Sequence, residues 1–147
     1  MSKKLPSLNE MRKCCLALFL FFSLKQVSAQ LVIDNTYTAQ QLADVIVGDG
    51  IVLSNVQLNC PQIANAYFNG SATNIGVNTG VLLTSGTASI AAGPNNDSGA
   101  GSCNNSQGDP SVSAISGGAT SYDACILEFD IVPTCSALSV SYVFASE

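Results

Sequence analysis

The side chains able to do chemistry in this sequence are carboxylates, amides and thiols, and almost nothing basic joins them. All five basic residues (Lys3, Lys4, Arg12, Lys13, Lys25) fall at or before position 25, and the chain has no His. Residues 30–147 therefore hold nine Asp and Glu without an internal counter-charge. That imbalance limits what can bind. Phosphate recognition relies on Lys and Arg to release counterions, so nucleic acid is excluded as a partner. Attraction to anionic lipid fails for the same reason. Catalysis loses His, its commonest general base, together with the cationic clamps on developing oxyanions. Two kinds of chemistry are left: a hard-cation site, or carboxylates working as an acid–base pair.

The relevant carboxylates gather in the second half. Asn95, Asn96, Asp97 and Ser98 lie in a glycine-rich stretch, Asp109 follows, and Asp123, Glu128 and Asp130 come soon after its end. Ca²⁺ takes roughly six to eight oxygens from carboxylates, amide carbonyls and backbone. We therefore expect Asp97, Asp109, Asp123, Glu128 and Asp130 as candidate calcium ligands, and calcium is the only cofactor the residues point to. The competing reading is that Asn, Asp and Gly form ordinary turns, and no strict calcium-loop spacing is present. A glycan hydrolase would use Asp123, Glu128 and Asp130 as acid and base, with two carboxyls roughly 5 to 9.5 Å apart. The chain has no Trp to line a sugar cleft, so that reading ranks below a non-enzymatic one.

Cys60, Cys103, Cys125 and Cys135 form an even set. In an exported chain they predict disulfides, and zinc is disfavoured because there is no His and no Cys-x-x-Cys pair. The alternating run around Cys125 and the run after Ala137 read as a hairpin. Cys125 would then lie roughly 23 Å from the turn that holds Cys135, against about 7 Å for a bridge, so Cys125 is not expected to pair with Cys135.

The elements that position these groups are mostly short strands. Thr38 and Gln41 make a capping box before the stripe Leu42, Val45 and Ile46, with Gly48 as the expected left-handed stop. A strand is predicted over Ile51–Asn59, where Val56 and Leu58 alternate with polar residues. Tyr67 and Phe68 run into a turn at Asn69-Gly70, and Val81–Leu83 reads as a central strand. The polar stretch from Gly86 to Ser121, with its seven glycines, reads as a long functional or disordered loop. Cys125, Leu127, Phe129 and Ile131 share one strand face, and Ile126, Glu128, Asp130 and Val132 share the other. Leu138, Val140, Tyr142 and Phe144 alternate as the hairpin's second strand. The sequence stops at the end of that strand, which predicts a domain incomplete at its C-terminus. The fold class expected is mainly β: an antiparallel β-sandwich-like domain with one short N-terminal helix.

Ahead of this domain stands a secretory leader. Basic residues precede the apolar run Leu16–Leu24, which is too short for the roughly 20 residues a membrane span needs. Val27-Ser28-Ala29 then supplies the small side chains a signal peptidase reads, so residues 1–29 are expected to be removed before Gln30. Cys14 and Cys15 precede the apolar run and leave with it. No membrane insertion is expected afterwards. Three glycosylation sequons, at Asn69, Asn96 and Asn104, are expected to be unused.

Four stretches resemble the choice-of-anchor L domain family of secreted and surface proteins of bacteria, notably Bacteroidota. They are Asn35–Thr38 with Gln41-Leu42 and Leu53–Val56; Phe68–Gly70 with Asn74–Gly76 and Gly80–Gly86; Ala92–Asn95; and Tyr122–Ala124 through Leu127–Asp130 to Tyr142–Glu147. The resemblance spans residues 35–147 in the family's order. It implies a β-rich extracellular module, followed in such proteins by one of several C-terminal anchors, including sorting domains for the type IX secretion system. It carries over no catalytic motif. The function expected is a secreted or cell-surface domain of a larger adhesin-like or cell-envelope protein, meeting a surface ligand or envelope component. A carboxylate-dependent glycan hydrolase and a structural spacer are the alternatives.

Overall fold

The computed structural model describes residues 30–48, 50–134 and 136–145. Residues 1–29, where the leader is expected, and Asp49, Cys135, Ser146 and Glu147 lie outside the described residues.

The N-terminal capping box forms as expected. The Thr38 hydroxyl accepts from the Gln41 amide at 3.3 Å, and the Gln41 side chain accepts from the Thr38 amide at 2.9 Å. Two of the orphan N–H groups at a helix start are satisfied this way, and α1 runs Ala39–Ile46. Its buried stripe is shifted from the expected one. Leu42 and Ala43 are fully buried, whereas Ile46 stays 45% exposed. The reason is that α1 meets two sheets, so both sides of Leu42 need a small or apolar neighbour. The helix stops because Val47 turns extended (φ −85°, ψ 140°), and Gly48 does not take a positive φ. The left-handed cap is not used.

Five strands follow the alternation in two antiparallel sheets. β1 (Val32–Asp34), β3 (Asn65–Asn69) and β4 (Thr79–Leu83) form one, in the order β1-β3-β4. β2 (Ile51–Asn59) and β5 (Ile126–Pro133) form a two-stranded ribbon. α1 packs on β2 and β4, and less on β3 and β5, so the helix couples the sheets. The domain is mainly β, as the sequence predicts. β3 is the central strand of its sheet and β4 an edge, the reverse of the expectation for Val81–Leu83. Phe68, opposite Gly80, lies over it so closely that a Cβ there would sit 2.8 Å from the ring. Tyr37, just before α1, stacks on Tyr67 with ring centroids 4.8 Å apart.

Two further expectations change. β5 pairs with β2 and not with the segment after it, and residues 138–145 form no strand. A β2 partner lies within reach because α1 and β3 bring residues 51–59 back beside 126–133. The stretch from Gly86 to Ser121 is organised and not one open loop. It contains a 3-10 turn (Ala88–Ala92) and a second short helix, α2 (Pro110–Ile115). The buried apolar core is small: Leu42 with Ala43, Ala64, Ala66 and Ala88. Burial of alanine contributes little, about 25 cal/mol per Å² of a small side chain. Covalent and polar ties therefore matter more here than in a Leu-rich core.

Candidate functional site

The organised stretch is tied by side chains that sequence analysis took for turn formers or ligands. Asn104 is 3% exposed. Its Nδ2 donates to the Asp123 carbonyl at 2.8 Å and to the Thr84 carbonyl at 3.3 Å, while its Oδ1 accepts from the Ser106 amide at 2.7 Å. One side chain thus fastens β4, the polar stretch and the approach to β5. Asp123, held at φ 56°, accepts the Asn105 amide at 2.7 Å. Asp109 is the N-cap of α2 and accepts from the Ser111 and Val112 amides at 2.7 and 3.0 Å. The Val112 amide is the leading cause that holds its carboxyl below the usual aspartate range, with Ser111 adding to it. Asp97 accepts from the Gly99 amide at 2.9 Å. Gly108 lies so close to Ser121 that any Cβ would fall on the Ser121 carbonyl. Three of the five expected calcium ligands, Asp97, Asp109 and Asp123, are thereby engaged with backbone N–H groups.

The other two stand elsewhere. In the β2–β5 ladder Ser54 faces Asp130 and Gln57 faces Glu128, so Asn55 and Val56 together oppose Phe129. This is a β-bulge, and Asn55 takes the left-handed conformation (φ 53°) that lets one extra residue fit. Asn55 Nδ2 donates to Asp130 Oδ2 at 2.5 Å. The bulge opens a groove of about 590 Å³ lined by Asn55, Gln57, Glu128 and Asp130 with Leu127 and Phe129. Glu128 and Asp130 come together on its exposed side. No three groups among His, Cys, Asp and Glu converge in the described residues.

Beyond the last ladder pair, Asn59 with Ile126, the next two residues are Cys60 and Cys125, and they form a disulfide with Cα atoms 4.7 Å apart. Cys125 thus pairs away from Cys135. Cys103 is exposed and free.

Compared with known families, the sequence matches the choice-of-anchor L domain over residues 29–147. The chain belongs to the choice-of-anchor L domain family. No curated protein and no solved structure matches it. In this choice-of-anchor L domain, the polar residues that sequence reasoning missed are Asn55, Gln57 and Asn104. Asn55 did leave a signal: Ile51 and Leu53 are one residue out of phase with Val56 and Leu58, and a period-two strand can absorb that only by a bulge. Asp109-Pro110 likewise reads as an N-cap followed by a first-turn proline. No helix in the described part of the domain is long and apolar enough to cross a membrane.

Proposed function

We propose that this chain is a non-enzymatic binding module of a larger secreted or surface-displayed protein of adhesin-like or cell-envelope type. Choice-of-anchor L domains are surface-associated modules, and the family match begins at residue 29, where the leader is expected to end. The observation that carries the reading is the disposition of the carboxylates. Asp97, Asp109 and Asp123 hold backbone, and the open groove offers two carboxylates and two amides with no Lys, Arg or His beside them. Such a groove can recognise a cation or polar ligand but has little with which to drive bond cleavage. Calcium is proposed for Glu128 and Asp130, the two candidates that line the open groove.

The test is expression of the full chain in a bacterial host able to export it. The product should begin at or near Gln30 and be digested by protease added to intact cells. An intact leader on cell-internal protein would overturn the surface reading. Release of reducing sugar from envelope glycans, abolished by Glu128→Gln, would favour the hydrolase instead.

A further inference from the structure

We propose that the outward face of the β2–β5 ribbon docks an extended, basic segment of a partner protein, with Glu128 and Asp130 receiving Lys or Arg side chains and Val132 an apolar one. The inference rests on the reading of the chain as a binding module, and it names the partner's chemistry. Alternation puts Leu127, Phe129 and Ile131 on the face toward α1, where they are half-buried. Glu128, Asp130 and Val132 fall on the opposite face and are exposed. Among the described elements β2 is the main neighbour of β5 and α1 touches it less, and the exposure of Glu128, Asp130 and Val132 leaves this outward face open. The face is not wholly polar: Val52 and Val132 form a cross-strand pair there, each 62% exposed. A partner laid over this pair would remove its apolar surface from water.

Charge selects the occupant. Nine carboxylates and no basic residue in 30–147 disfavour a second copy and favour a cationic partner. Of the carboxylates in described residues, Asp34, Asp44, Asp97, Asp109, Asp123 and Asp130 each accept a hydrogen bond from this chain, and Glu128 accepts none. Asp130 keeps one oxygen beyond the one that Asn55 engages. A guanidinium can donate to such an oxygen and to an amide carbonyl at once, which Gln57 beside Glu128 can supply.

Spacing selects an extended peptide over a free polyamine. Glu128, Asp130 and Val132 repeat every two residues along a strand, roughly 6.8 Å. An extended partner presents its own side chains on one face with the same repeat. The pattern that matches is basic, any, basic, any, apolar, in either chain direction.

The experiment measures binding of short fluorescent peptides with that pattern to the full exported chain, by anisotropy at about 50 and 150 mM NaCl. Binding should be saturable and weaker at the higher salt. Glu128→Gln with Asp130→Asn should weaken it about tenfold or more, and Val132→Thr about threefold. Asp44→Asn, which removes the same charge from α1, should leave it within about twofold. If the double variant does not fold, Glu128→Gln alone decides, since that side chain makes no bond the fold needs. Equal binding of a peptide with the same residues in shuffled order, equal loss in Asp44→Asn, or no binding at all overturns the proposal. Surface exposure and leader cleavage are read on cells without any peptide, so failure here is distinguishable from failure of the surface-module reading.

Discussion

Cys60 and Cys125 face one another across the β2–β5 ribbon, one step past the Asn59–Ile126 pair, and close a loop of 65 residues. The bond therefore fixes the end of the ribbon at which β5 begins. The Asn65 amide lies against it, with Nδ2 3.7 Å from Cys60 Sγ and 3.1 Å from the Pro61 carbonyl. The bridge thus clasps the end of the ribbon and sits beside the most buried polar side chain of the other sheet.

The first prediction concerns that bridge. Closing a loop of this length lowers the entropy of the unfolded chain by about 4 kcal/mol in free-energy terms. Replacing both cysteines by Ser should cost a large part of that and lower the melting temperature, more than usual because the apolar core is mostly alanine. Peptide mapping without reductant should recover a Cys60–Cys125 link, and Cys103 should alkylate in the folded protein. A Cys125–Cys135 peptide would refute the pairing.

Much of this arrangement was legible because it is local. The capping box at Thr38 needs only residues three apart, and the two faces of residues 126–132 need only alternation. The partner of β5 was not legible. A five-residue connection makes a hairpin with residues 138–144 the nearest choice, and nothing in a local pattern announces that Ile51–Asn59 competes for the same edge. Glu128 and Asp130 could be placed on one face from sequence, but Gln57 joins them only through the long-range register. Asn104 looked like a sequon because its environment, Thr84 on one side and Asp123 on the other, exists only in the fold.

The second prediction tests that knot. Asn104→Ala leaves the Thr84 and Asp123 carbonyls and the Ser106 amide without their side-chain partner in a part-buried site. Unmet polar groups of this kind cost about 1–3 kcal/mol each, and partial access to water reduces the sum. We expect destabilisation of about 2–3 kcal/mol in urea unfolding, with faster proteolysis between residues 86 and 121. Asn104→Asp should also destabilise, since it keeps the acceptor and loses both donors.

The third prediction is acid sensitivity. Backbone N–H groups hold the Asp109 carboxyl below its ordinary range, and the Thr36 hydroxyl and amide do the same for Asp34. For a carboxyl depressed by folding, the unfolded chain binds the proton more readily. The stabilisation is therefore fully present above the ordinary aspartate value, and is lost as pH falls below about 4 through the folded one. Asp109→Asn should flatten part of that acid limb while keeping a competent cap on α2, because Asn caps about as well as Asp. Unfolding midpoints measured across the acid range for both proteins check this; parallel acid limbs would show that Asp109 does not contribute.

The last prediction asks whether the open carboxylates take calcium. Of the five candidates only Glu128 and Asp130 line the open groove, so the proposal reduces to them, with the Asn55 and Gln57 carbonyl oxygens as neutral ligands across the bulge. A bound ion stabilises by mass action, about 2.7 kcal/mol at a hundred times its dissociation constant. Mg²⁺ should do less, because it keeps its waters and demands a tight octahedron. General screening makes a different demand: at equal ionic strength NaCl would help as much, and neutralising any carboxylate would help too. Thermal melts in Ca²⁺, Mg²⁺ and matched NaCl separate the two. We expect a larger shift in Ca²⁺ that disappears in Glu128→Gln and persists in Asp109→Asn, whose baseline stability differs but whose groove does not. If the three salts shift the melt equally, Glu128 and Asp130 hold no calcium, and their open charge is left for a ligand that brings its own cation.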